Sequence, residues 1–389
     1  MTGSFSPLSI GTYATEALKS DRRAGDGTMT FPLLGLFGET GSLLSEVKKK
    51  QRDHIAFVGY AAAVVEELGD VLWYLTAVAA RGGIALGDIA PRSSHADDAT
   101  ADSDSTLLAS LQPEIMPQRG EPTAAFERTL LRLAGSVGIL VAEFEEGRFD
   151  QNKTALTLRL AAIMASLIQA ANEAGVTLEA AAVKNLAKIR DRWPSLRAYP
   201  DLLDAAALPE EQLPRDLHVE IFEREVRGRT YVFQRCNGLN IGDRLTDNAM
   251  TADDYRFHDV FHYAYVAVLG WSPVIRALFR LKRKSAAKVD EAQDGARAIL
   301  IEEGITTWIF GQAVNLDLFA GMNQGDLPFD LLKHIRQFVA GYEPESAPLW
   351  LWEEAILQGY EAFRYLRQHR RGRLHIDAGQ RRLSIEALP

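Results

Sequence analysis

The chain has a single cysteine, Cys236, among 389 residues. That excludes an internal disulfide framework and any zinc site built from several thiolates, and it fits a reducing compartment. Residues 1–30 lack a basic start followed by an apolar run, so no secretory leader is legible and a cytoplasmic location is expected. An uncharged apolar run long enough to cross a bilayer is also missing. Residues 61–80 come nearest, but Glu66, Glu67 and Asp70 interrupt their centre, so a buried helix and no membrane partner are expected. There is no excess of positive charge. Against 52 Asp and Glu stand 43 Lys and Arg, a net charge of -9, which argues against general nucleic-acid binding. With 47% hydrophobic and 24% charged residues, the composition is that of an ordinary soluble protein long enough for two or three domains.

The chain does carry two acidic clusters on helical spacing. The first is Gly38-Glu39-Thr40-Gly41-Ser42-Leu43-Leu44-Ser45-Glu46; the second is Glu66-Glu67-Leu68-Gly69-Asp70-Val71-Leu72-Trp73. On a helix Glu39 and Glu46 lie two turns apart on one face, and Glu67 and Asp70 stand at i,i+3. Like charges so placed cost a bare helix a few tenths of a kcal/mol per pair, and unpaired carboxylates among apolar residues cost more. A cation that bridges the clusters removes both penalties. Hard oxygen ligands suit magnesium, with manganese as the alternative. The plainer account is a solvated helix face, with Glu46 paired to Lys49 and Lys50.

From 31 to 89 apolar residues recur at the helical period, with a Gly82-Gly83 break. Residues 91–123 are polar, acidic and punctuated by proline, and read as a flexible linker. The helical pattern resumes near Ala124 and stops at Trp193-Pro194. Residues 33–46 align without a gap on 130–143, matching Gly38 with Gly135, Gly41 with Gly138 and Glu46 with Glu143; residues 81–86 then match 173–178. Duplication is the simplest account. The copies differ in chemistry. Where the first has Glu39, Glu67 and Asp70, the second has Ser136, Arg159 and Ala162. Only the second ends in a basic segment, Lys184-Asn185-Leu186-Ala187-Lys188-Ile189-Arg190-Asp191-Arg192. The expected domains are 1–90, a linker at 91–123, a degenerate copy at 124–207 and a third region at 208–389.

The Gly-Glu-x-Gly element at 38–41, the Glu-Glu-Leu-Gly-Asp element at 66–70 and the basic ending at 184–194 together resemble the MazG-like all-α nucleoside triphosphate pyrophosphohydrolases over residues 30–195. The resemblance implies an all-α, usually oligomeric helical bundle. It also implies magnesium on four acidic residues, and cleavage of a nucleoside triphosphate to monophosphate and pyrophosphate. Glu39, Glu67 and Asp70 would be three of the ligands. The family's second acid, three residues after the first, is Ser42 here, and Glu46, one turn further on, is the tentative fourth ligand.

The residues themselves suit that chemistry. Phosphoryl transfer needs cations on the phosphate oxygens and a positioned water more than covalent work by the protein. Glu66 or Glu46 could orient or deprotonate the water. Lys184, Lys188 and Arg192, at i,i+4,i+8, could meet the triphosphate together with Asn185, whereas Trp73 and Tyr74 read as core.

The third region matches no family motif. Alternation at 219–223 and 230–234 about Arg227-Gly228 predicts a small β-hairpin, followed by helices near 253–269, 275–284, 291–318, 329–340 and 349–367. The basic stretches 276–288 and 364–382 read as solvated surface, the latter ending in a polar tail. His258 and His262 share one helix face and, with Asp294, Glu302 and Glu303, suggest a second metal site. Three functions follow as alternatives. One is a magnesium-dependent pyrophosphohydrolase with a composite site between the copies. Another is a non-catalytic nucleotide sensor signalling through the third region. The last is a metal-dependent hydrolase centred on His258 and His262.

Overall fold

The computed structural model describes residues 7–91, 103–112, 115–118 and 120–388. They form two compact units, Met1–Arg190 and Asp191–Pro389.

Among the described residues, seven α-helices occupy the first unit: α1 (Ile10–Leu18), α2 (Thr30–Asp53), α3 (Tyr60–Arg81), α4 (Leu86–Ile89), α5 (Ala124–Glu145), α6 (Lys153–Ala174) and α7 (Leu178–Arg192), within which the unit boundary falls. Their ends follow from local chemistry. Ser9, Thr123 and Asn152 accept backbone N–H groups at the starts of α1, α5 and α6, and Gly175, at φ 69°, closes α6 in the left-handed conformation. α2 packs on α3, α5 on α6, and α2 also on α5. The aligned segments 33–46 and 130–143 thus each lie on the first helix of a helix pair. Leu36, Leu43 and Val47 on α2 and Leu68, Val71, Leu72 and Leu75 on α3 share one core with Leu133, Val137, Leu160 and Leu167 of the second pair. Among the described residues, α6 has the length and composition to cross a membrane, but Leu160, Ile163, Met164 and Leu167 bury its apolar face in this core.

The linker reading needs correction where it is described. Residues 92–102, with His95, Asp97, Asp98 and Asp102, lie outside the described residues. Beyond them the chain is fastened to the first unit: Ile10 N donates to Thr106 O and Leu108 N to Leu8 O, both at 2.9 Å. Leu108 is fully buried. The Gln112 side chain donates to Asn172 Oδ1 (2.8 Å) and Val176 O (3.1 Å). Polar composition hides such anchoring, because it comes from backbone pairing and one buried amide.

The second unit is not all-α. β1 (Asp216–Val226) and β2 (Arg229–Cys236) form the expected hairpin, but β3 (Leu239–Leu245), β4 (Arg371–Asp377) and β5 (Arg382–Glu386) extend it into an antiparallel five-stranded sheet, ordered β3-β2-β1-β4-β5. The stretch 364–382 therefore ends in strands rather than a polar tail. Leu374 and Ile376 face the core between Arg373, His375 and Asp377, a period-2 pattern masked by its charges. The helices are α8 (Asp259–Leu269), α9 (Pro273–Phe279), α10 (Ala287–Ala292), α11 (Ala296–Val314), α12 (Phe329–Phe338) and α13 (Leu349–His369). α8 is buried all round between α13 and the sheet. The unit begins at 191, not 208, because the intervening chain bonds within it. Asp191 pairs with Arg336 (2.7 Å), Leu203 N donates to Leu269 O (3.0 Å), and buried Asp204 holds Arg276 (3.0 Å).

Candidate functional site

Packing of α2 on α3 brings Glu39, Glu67 and Asp70 together, with one oxygen of each within 4.8 Å of the others. At that separation and an effective dielectric of about 20, two ionised carboxylates repel by about 3 kcal/mol, well above the cost on an open helix surface. Glu67 bears the strain. Burial first, then Asp70 and Glu39, push its carboxyl up to about 7, and its Oε2 is buried without a hydrogen bond. The trio thus offers several oxygen donors in one place, a set suited to a divalent cation.

α7, which follows the second helix pair, supplies the facing groups. Asn185 Nδ2 donates to Asp70 Oδ1 (3.0 Å), Lys188 Nζ donates to Asp70 Oδ2 (2.5 Å), and Lys188 Nζ lies 3.2 Å from Glu66 Oε1. Burial works against the charge on Lys188, but Asp70 and Glu66 outweigh it and raise its pKa. Buried Tyr13 orients Asn185 by donating to its Oδ1 (3.1 Å). Gly69, which sequence reasoning did not single out, makes this approach possible. A Cβ there would stand 2.6 Å from the Ala181 carbonyl oxygen and 3.0 Å from Asn185 Cβ. Gly69→Ala is therefore expected to cost about 1–3 kcal/mol and to loosen Asn185 and Lys188 from Asp70. Thermal melts of the variant check this, and an unchanged midpoint would contradict it.

The other expected residues are placed unequally. Buried Glu46 pairs with Lys49 (2.5 Å) and stands outside the trio, although its charge adds to the upward pressure on Glu67. Lys50 does not pair with Glu46, as the plainer account had it; its ammonium serves the carbonyls of His54 (2.6 Å) and Phe57 (3.3 Å) and lies 3.2 Å from Glu121. Ser42 is half-buried and Lys184 is exposed. Arg192 belongs to the second unit, where it donates to Leu327 O (2.7 Å) and lies over the rings of Trp193 and Phe329. The expected basic stripe is therefore divided, and Lys188 is its member at the acids. Trp73 Nε1 bonds Ala17 O and Ser20 Oγ, both at 3.0 Å. In the second copy, Arg159, aligned with Glu67, grips Glu143, aligned with Glu46, through two bonds of 2.9 and 2.7 Å. A fixed guanidinium thus stands in the second copy where the first has the carboxylate of Glu67.

In the second unit His258, His262 and Glu303 bring ligand atoms within 4.8 Å of one another. Glu302 does not join them. Fully buried, it accepts from His262 Nδ1 (2.8 Å), Ser272 Oγ (2.6 Å) and Val274 N (2.8 Å). Asp294 is also elsewhere, accepting from Arg283. Burial lowers the pKa of His262, but Glu302 and Glu303 outweigh it and hold the imidazole well above its ordinary value. A third group, Asp216, His218 and His375, lies across β1 and β4. It is mostly solvent-facing, and its stacked imidazoles (4.3 Å between centroids) make an ordinary cross-strand pair.

Residues 198–389 match the family described as the MazG C-terminal domain. The second unit is thus MazG-related, which corrects the expectation that this region resembles no known family. No curated protein and no solved structure matches the chain.

Proposed function

We propose that the chain is a magnesium-dependent nucleoside triphosphate pyrophosphohydrolase whose composite site joins the acids of α2 and α3 to the basic face of α7. The observation that carries this reading is the convergence of Glu39, Glu67 and Asp70, with a buried Glu67 oxygen lacking a hydrogen bond, beside Asn185 and Lys188. The resemblance of residues 30–195 and the MazG-related second unit support it. The matching helix pairs, and the Glu143–Arg159 pair where the first copy keeps its acids, support a duplication with one live site.

Glu39, Glu67 and Asp70 would hold magnesium, with Glu46 as an outer neighbour. The bound ion would neutralise phosphate charge and polarise the phosphoryl oxygens. Lys188, now engaged with Asp70 and Glu66, is the cation placed to turn to the triphosphate, and Asn185 is the donor beside it. Glu66, half-buried next to Lys188, takes the proton of a water whose oxygen bonds to phosphorus while the bond to the oxygen bridging the α- and β-phosphorus breaks, releasing monophosphate and pyrophosphate. Lys188→Ala is expected to raise KM for the triphosphate roughly tenfold or more, and steady-state kinetics with an unaltered KM would contradict its assigned role.

The test is hydrolysis of each ribo- and deoxyribonucleoside triphosphate in oxygen-18 water, with the products identified by mass. Labelled monophosphate or labelled pyrophosphate, without orthophosphate, is expected; diphosphate with labelled orthophosphate would overturn the reading. Exposed Leu34 and Phe37 on α2 and Leu158 on α6 support further pairing with a second copy, which sedimentation at the monomer mass would exclude. Ser42, in place of the family's second acid, favours a second reading, a sensor that binds nucleotide without turnover. Binding without product over hours would select it.

A further inference from the structure

We propose that the second unit holds a divalent transition-metal ion on Nε2 of His258, Nε2 of His262 and a carboxylate oxygen of Glu303, leaving a coordination position open to solvent. The inference rests on the tautomers that the surroundings impose. His258 Nδ1 lies 2.9 Å from the Tyr255 carbonyl, and an oxygen that can only accept requires the proton on Nδ1. His262 Nδ1 lies 2.8 Å from Glu302 Oε1, whose carboxylate also takes Ser272 and the Val274 amide, so its orientation is set from several sides. In their neutral forms the imidazoles therefore turn their Nε2 lone pairs to carboxylates, that of His262 to Glu303 and that of His258 to Asp259 and Glu303.

Two neutral imidazoles facing Glu303 leave a place for one positive charge, either a proton on His262 or a metal ion in its stead. The spacing favours a metal over a hydrogen bond. His262 Nε2 is 3.6 Å and His258 Nε2 3.9 Å from Glu303 Oε2, beyond hydrogen-bond length. Ligands about 2.0–2.1 Å from a shared ion stand roughly 3.0–3.5 Å apart, so contraction from the present spacing, within 4.8 Å for all three ligand atoms, completes the set. His262 Nε2 is buried and makes no hydrogen bond.

The supporting contacts are those of a metal centre: a carboxylate behind one imidazole and a backbone carbonyl behind the other. The Tyr255 ring stacks on His258 at 4.5 Å with an interplanar angle of 4°, which fixes the ring plane. Asp259 Oδ1, 3.2 Å from His258 Nε2, is the neighbouring carboxylate. Two imidazoles and one carboxylate suit zinc, iron, cobalt or manganese rather than magnesium, so this centre differs in chemistry from the acids of the first unit. The Glu303 side chain is 38% exposed and that of His262 0%, so solvent reaches the site from the Glu303 side. Three protein ligands with solvent access describe an open site able to exchange a small anion.

The test uses the full chain, stripped with a chelator and titrated with cobalt(II), read by visible absorption. One equivalent is expected to develop the bands of a histidine-ligated ion, and excess azide to shift them. His258→Gln should abolish the bands; Glu303→Gln, at a partly exposed position where folding is retained, should weaken binding at least roughly tenfold. Glu67→Gln should leave the bands in place. Folded wild type that develops no bands, or bands that survive both His258→Gln and Glu303→Gln, would overturn the proposal, as would bands lost in Glu67→Gln.

Discussion

Replacing Glu67 by glutamine is expected to lower magnesium-dependent triphosphate cleavage by roughly a hundredfold or more, without destabilising the first unit. Activity and stability separate because the same feature acts on each with opposite sign. One oxygen of Glu67 lies within 4.8 Å of Glu39 and Asp70, and its Oε2 is buried without a hydrogen bond. In the folded chain its charge is opposed by burial and by both neighbours. Glutamine keeps the volume and removes that charge, so the helix pair loses a repulsion while the cation loses a ligand. A thermal midpoint equal to wild type or higher is expected, by about 2–4 °C for each kcal/mol gained. Steady-state rates and calorimetry on one preparation check both parts. Retained activity would remove Glu67 from the site, and a lowered midpoint would make it a structural residue.

The largest stability effect is expected from Asp294→Ala, at about 3–5 kcal/mol. Asp294 is fully buried and accepts from Arg283 through its backbone N (2.8 Å), Nε (3.1 Å) and Nη2 (2.7 Å), and Arg276 Nε lies 3.6 Å away. Arg276 is itself buried. Burial and the charge of Arg283 lower its pKa, so it depends on the carboxylates of Asp294 and Asp204. Removing Asp294 leaves the two guanidinium groups close together without the carboxylate they share, with Asp204 and Glu343 on their outer sides. In a unit of this size the transition should fall by roughly 6–20 °C. Denaturant unfolding with a loss below about 1 kcal/mol would show that Asp204 and Glu343 carry the pair unaided. Cobalt binding at His258, measured below the transition, should persist in this variant, because Asp294 serves arginines and not the metal.

What could be read from the sequence follows the range of the interactions. The trio was legible because Glu67 and Asp70 are one turn apart and Glu39 lies on the helix that apolar periodicity pairs with theirs. The helix face of Lys188 was legible from its spacing to Lys184 and Arg192, but the bonds of Lys188 and Asn185 to Asp70 were not. Arg192 was misjudged on the same ground, since nothing local reveals that its guanidinium belongs to the Leu327 carbonyl. Gly69 escaped notice because its role is a close approach to Ala181, more than a hundred positions away. Strands β4 and β5 were hidden by Arg371, Arg373 and Arg382, which alternate with the buried positions Gly372, Leu374 and Ile376 of β4 and Leu383 of β5. The sequence offers Glu302 and Glu303 alike as metal ligands, whereas in the fold Glu303 faces the histidines and Glu302 holds the back of one ring. Adjacent residues on a helix point about 100° apart, and the sequence contains nothing to say which of them turns inward.

The central claim is that the acids of α2 and α3 and the basic face of α7 form a magnesium-dependent pyrophosphohydrolase site. The most direct measurement is chromatography of products from nucleoside triphosphates incubated with wild type and with Asp70→Asn, with and without magnesium. The account predicts monophosphate and pyrophosphate from wild type with magnesium, and neither from the variant or from wild type without the metal. Equal product from Asp70→Asn and wild type, or cleavage indifferent to magnesium, would contradict it.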